Sequence, residues 1–179
     1  PVTREILETV HGPVFDRQGK KVYAAGMSQT TTDREGDQLL RILLSRNVHE
    51  VRKAMSIREL DGGNLFVGDV DGNIGYFWMN RLMDRNDSFY WLEPVDGSTS
   101  ESLYTTLLPF ERMPQSVNDP GGYYQASNAA NWTLPEGAWG MKPTDFPQWL
   151  LSYRKDTYFS ARPQRVVNLI ESRAKHSLE

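Results

Sequence analysis

The chain contains no cysteine. Disulfides, thiolate metal sites and a cysteine nucleophile are therefore excluded together. The compartment stays open, because cysteine-free chains occur inside and outside cells. Histidine is scarce as well: His11, His49 and His176 are the full set, without the His-x-x-x-His or His-x-His spacing of a metal site. No Gly-x-Ser-x-Gly elbow occurs, so a serine–histidine–aspartate centre lacks local support. No apolar run is long enough to cross a bilayer. A basic surplus is missing too: 20 Lys and Arg against 23 Asp and Glu leave a formal charge of −3. A general nucleic-acid binder needs a basic stripe to neutralise phosphates. Neither nucleic acid nor a membrane is thus an expected partner. Repeats, low-complexity tracts and linkers are absent. Aromatics spread through 179 residues point to one compact unit with one core.

What is present reads as a mixture of strands and helices. Residues 2–9 lean towards β and run into a turn signal at His11, Gly12 and Pro13. Residues 21–29 read as a further strand. The apolar run 39–44 reads as a buried helical turn. Asn47, with Glu50 three residues on, predicts a helix N-cap with Val48, Val51 and Met55 on the inner face. The clearest signal is a hairpin: residues 65–69 and 73–78 flank Val70, Asp71 and Gly72, whose Asp-Gly pair would supply positive φ angles. A short strand is expected at 123–126, after the turn at Pro120, Gly121 and Gly122. Ser160 would cap a last helix, with Pro163 in its first turn and Val166, Val167, Leu169 and Ile170 buried. Without βαβ regularity, the expected class is α+β.

Few residues announce chemistry by spacing. Asp69, Asp71 and Gly72 resemble the opening of a calcium loop, but position 78 is Trp where a bidentate glutamate would stand, and strands flank the segment. A hairpin turn is the better reading. His11 beside its Gly-Pro turn is expected to bond backbone. The secondary amine of Pro1 could act as a base, but a chain boundary explains it better. Asn128 follows the expected strand at 123–126. An amide at a strand tip is a good oxyanion donor, being neutral with two N–H groups, although asparagine more commonly closes the following turn.

Several segments, in order, resemble the β-chain of the penicillin acylase family, above all its aculeacin and acyl-homoserine-lactone acylase branch. They are TVHGPV (9–14), FVGDVDGNIGY (66–76), Arg85 followed by VDG (95–97) and LPFERMP (108–114), NDPGGYYQASN (118–128) and RPQRV (162–166). Each is weak alone; five in order across residues 9 to 170 are not.

The resemblance implies part of an αββα sandwich of the N-terminal-nucleophile hydrolase type, with residues 1–177 an internal slice of a larger acylase. Leu178 and Glu179 resemble a purification-tag remnant. It also implies cleavage of a linear N-acyl amide: an acyl-homoserine lactone, an acyl-peptide or a penicillin-type side chain. The attacking serine, whose α-amine acts as base, would lie upstream of Pro1. Asn128 matches the oxyanion asparagine, and Arg162 matches the arginine that holds the active-site network; on spacing alone, Arg162 is equally a helix-start arginine paired with a carboxylate. Partners would be the acyl-amide substrate and the remaining acylase segments, α-chain and upstream β-chain. No cofactor is implied, although the family allows a structural calcium in the longer protein; Asp145 only faintly resembles one of its ligands. A periplasmic or secreted location is implied. Residues 89–91 and Trp132 would line the acyl pocket or fill the core. Alone, the chain is expected to be inactive and prone to self-association. A non-catalytic α+β module or an inactive acylase relative is the alternative. Ala129, Ala130, Asn131 and Trp132 depart from the family's second polar residue and proline, which bears on the aim of the Asn128 amide.

Overall fold

The computed structural model describes residues 2–26, 33–130, 141–152, 161–173 and 176. The expected positions Ser160, Trp132, Asn131 and 27–29 lie outside them. Among the described residues, six strands and four α-helices follow in the order β1 (Glu8–Thr9), β2 (Gly12–Gln18), β3 (Lys21–Ala24), α1 (Glu35–Leu44), α2 (Val48–Met55), β4 (Gly63–Gly68), β5 (Ile74–Met79), β6 (Gln115–Val117), α3 (Gln148–Ser152) and α4 (Ala161–Glu171). Both sheets are antiparallel and three-stranded, ordered β1-β2-β3 and β4-β5-β6. The α+β class holds.

The hairpin forms where its sequence placed it, with Gly68 opposite Ile74 and Gly63 opposite Met79. Its turn differs from the expected one. Only Gly72 takes a positive φ, of 84°; Asp71 does not. The turn is organised instead by the Asp69 carboxylate, which accepts N–H groups from Asp71, Asn73 and Val48 and the Asn73 side-chain amide. Lost solvation pushes the Asp69 carboxyl up, but these four sources of N–H, led by Asn73, outweigh it and hold it below the ordinary carboxylate value. Through Val48 the same carboxylate ties the hairpin to the start of α2.

Helix α2 starts as expected: the Asn47 side chain accepts the Glu50 N–H at 2.9 Å. Val48, Val51 and Met55 face inward, packing with Tyr76, Phe77, Trp78, Leu108, Phe110, Phe146, Trp149 and Leu150 in one core cluster.

Four expectations change. The run 39–44 belongs to a full helix whose leucines are exposed, with Leu43 72 % accessible; its buried residue is Gln38, whose amide oxygen accepts the Glu59 and Leu60 N–H groups. Leucine content marked the helix but not which surface covers it. Strand β1 is shorter than residues 2–9, and β2 grows from the turn signal at Gly12. Residues 123–126 form no strand. Asn118, at φ 54°, closes the ladder against Ile74, so the third strand is β6 upstream of it. In α4, Pro163 and Val167 are buried but Leu169 is 49 % exposed, because the inner face follows positions 163, 167 and 170.

Candidate functional site

The segment after β6 turns back at residues 119–122, where the Gly122 N–H bonds to the Asp119 carbonyl. It then runs beside α4 in the opposite direction and is tied to it at both ends. At one end the Tyr123 hydroxyl donates to Glu171 Oε1 at 3.0 Å. At the other, Arg162 donates to the Ser127 carbonyl at 2.6 Å and to Asn128 Oδ1 at 2.8 Å. The nine helical steps from Arg162 to Glu171 rise about 13 Å, comparable to the reach of the few residues from Tyr123 to Asn128. Burial, then the hydrogen bond to Glu171 and the charges of Glu171 and Asp119, push the Tyr123 hydroxyl up to about 12, so it remains a donor at neutral pH.

Ser127 and Asn128 both sit in the left-handed region, at φ 45° and 60°, and the Ala129 N–H closes the turn onto the Ala126 carbonyl at 2.8 Å. Asparagine tolerates that conformation; serine does so at a cost of about 1 kcal/mol. Asn128 therefore does what asparagine ordinarily does, closing a turn, and it also carries a directed side chain. A guanidinium can only donate, so the amide atom facing Arg162 must be the oxygen. The Asn128 N–H pair consequently points away from Arg162. Asn128 and Arg162 are both exposed at this end of α4. Among the described residues Arg162 bonds a carbonyl and an amide oxygen, with no carboxylate among its partners there.

Beneath the turn, Ala129 and Ala130 are 8 % and 0 % exposed, and Ala129 joins the core cluster. The apolar pair that departs from the family pattern thus seats the turn on the core. Gln125, also missed by sequence reasoning, is 7 % exposed, and neither atom of its amide has a partner among the described residues. Only its place three residues before Asn128 could have drawn attention to it.

The other candidates serve local structure. His11 Nε2 bonds the Gly97 carbonyl at 2.9 Å, and His176 Nε2 bonds the Ile170 carbonyl at 2.8 Å. Asp145 accepts the Lys142 N–H at 2.8 Å. Among the described residues, no three His, Asp or Glu side chains converge as a metal site. Of the aromatic run, Trp91 packs against the core cluster while Tyr90 is 51 % exposed.

The arrangement is an α+β scaffold presenting an oriented amide on a left-handed turn. The family model described as penicillin amidase matches residues 1–179, and the chain belongs to that family. It is 32 % identical over 127 residues to penicillin acylase 2 proenzyme of Pseudomonas sp. (strain SE83), covering 69 % of this chain and 16 % of that protein. It is 29 % identical over 138 residues to penicillin G acylase of Escherichia coli, covering 73 % of this chain and 15 % of that one. The thermostable penicillin G acylase from Alcaligenes faecalis shares the fold, with a TM-score of 0.66 at 23 % identity over 97 % of this chain and 29 % of that one. The chain thus spans about a sixth of the curated relatives it matches, and its fold is that of one segment of an N-terminal-nucleophile hydrolase. Among the described residues, no helix is long and apolar enough to cross a membrane.

Proposed function

We propose that this chain is the part of an amidohydrolase that stabilises the oxyanion during cleavage of a linear N-acyl amide. The observation that carries the reading is the Asn128 amide, with its oxygen held by Arg162 and its N–H pair directed away. In this scheme a serine from outside these 179 residues attacks the amide carbonyl carbon, its proton passing to its own α-amine, through water. Negative charge gathers on the carbonyl oxygen, where the Asn128 N–H groups receive it. The C–N bond breaks, the proton leaves with the amine, and water releases the acid from the acyl-serine.

Arg162 contributes twice. It fixes the side-chain oxygen of Asn128, and through the Ser127 carbonyl it holds the left-handed turn that aims the amide. The exposed leucines of α1 fit the same picture, as a face covered by further segments of the acylase.

The test is turnover by the full-length protein against acyl-homoserine lactones, acyl-peptides and penicillin-type amides. Hydrolysis of one class, abolished when the serine is replaced by alanine, supports the reading. A folded full-length protein with that serine intact that hydrolyses none of them would be a non-catalytic relative.

A further inference from the structure

A second cluster lies apart from the Asn128 turn. Arg85 places its guanidinium carbon 5.3 Å from the ring centroids of Trp91 and Tyr104 and 5.4 Å from that of Trp149. These walls are fixed. The Trp91 indole N–H donates to the Asn86 carbonyl at 2.8 Å, the Trp149 backbone N–H donates to Asp87 Oδ1 at 2.9 Å, and Trp91 meets Tyr104 edge-on at 5.8 Å.

What the cluster lacks, among the described residues, is an acceptor. Arg85 Nε and Trp149 Nε1 are both buried with no hydrogen-bond partner among the described residues, and Trp149 as a whole is only 5 % exposed. Arg85 forms no ion pair among those residues either. Arg81 by contrast pairs with Glu59 at 2.7 Å; Arg58 also has a buried Nε without a partner among the described residues, but its Nη1 donates to the Leu108 carbonyl at 2.7 Å. The carboxylates flanking Arg85 are engaged elsewhere, Asp84 by Arg112 and Asp87 by Trp149. Two orphan donors in one aromatic cluster are costly unless an acceptor reaches them. A guanidinium offers paired N–H groups matched to a carboxylate, and aromatic walls strengthen that pairing by excluding water.

We infer that Arg85, Trp91, Tyr104 and Trp149 form a recognition site for the carboxylate of a small molecule with an apolar or aromatic body. The site stands independently of the amidase reading, because its readout is binding and not turnover. The test titrates the full-length protein with benzoate and with its uncharged isostere benzamide, following tryptophan fluorescence and calorimetry. Saturable benzoate binding is expected, at least about tenfold tighter than benzamide. Arg85→Gln should weaken it by about tenfold or more, with Arg85→Lys intermediate because a single ammonium lacks the fork. Circular dichroism spectra checked against wild type separate lost binding from lost folding. Equal affinity for benzoate and benzamide, or benzoate affinity unchanged in a folded Arg85→Gln protein, overturns the inference. So does absence of binding in wild type accompanied by a marked loss of stability in Arg85→Gln, which would mean that another stretch of the protein supplies the carboxylate.

Discussion

Arg162 reaches 34 residues back along the chain to hold the amide oxygen of Asn128 at 2.8 Å. The same guanidinium holds the Ser127 carbonyl, so one side chain fixes both the turn and the group the turn presents. Lysine keeps the charge but offers no planar pair of donors for two oxygens. In the full-length protein, Arg162→Lys is expected to lower kcat by about tenfold with little change in KM, the pattern of an interaction used in the transition state. Steady-state kinetics checks this.

The hairpin packs on α2 with no room to spare. A Cβ at Gly75 would stand 2.7 Å from Val48 Cγ1 and 3.1 Å from Phe77 Cε2, and both neighbours are 0 % exposed. Gly75→Ala is expected to destabilise by about 1–3 kcal/mol through overpacking. Urea unfolding should show a lower midpoint at unchanged slope.

Asp119 is 6 % exposed, and burial raises its carboxyl above the ordinary value of 3.8 despite the bond from the Gly121 N–H. A raised folded-state value means that stability is full below the unfolded value and falls as pH rises through the folded one. The Tm of the wild type minus that of Asp119→Asn should therefore decline as pH is raised from about 4. A difference that grew with pH would contradict it.

Gln125 carries a buried amide with no partner among the described residues. Methionine has similar length and nothing to satisfy. Gln125→Met should raise stability by about 1 kcal/mol, since an unmet buried polar group costs at least that much. Thermal unfolding of both proteins decides the point.

Local chemistry made part of this fold legible. The Asn47 cap, the hairpin around Gly72 and the helix carrying Pro163 could each be read from turn, cap and periodicity signals, because the forces that set them act within a few residues. Features set by distant partners could not. Nothing near Leu43 says that its surface lies open, and nothing near 115–117 says that β5 will pair there. The site divides the same way. The ordered motifs singled out Asn128 and Arg162, but their hydrogen bond, the paired left-handed residues and the Arg85 cluster depend on segments folded together from far apart. Asp71 shows the limit from the other side: a strong Asp-Gly turn signal was overridden by the Asp69 carboxylate.

The central claim is that Arg162 acts through Asn128 to stabilise an oxyanion, and a double-mutant cycle on kcat tests it. Full-length Asn128→Ala should lose about 10²–10³-fold in kcat, and Arg162→Met a smaller factor. The double variant should be no slower than Asn128→Ala alone within about threefold, because coupled residues are not additive. Losses that multiply, or an Asn128→Ala protein that turns over at the wild-type rate, would contradict the account.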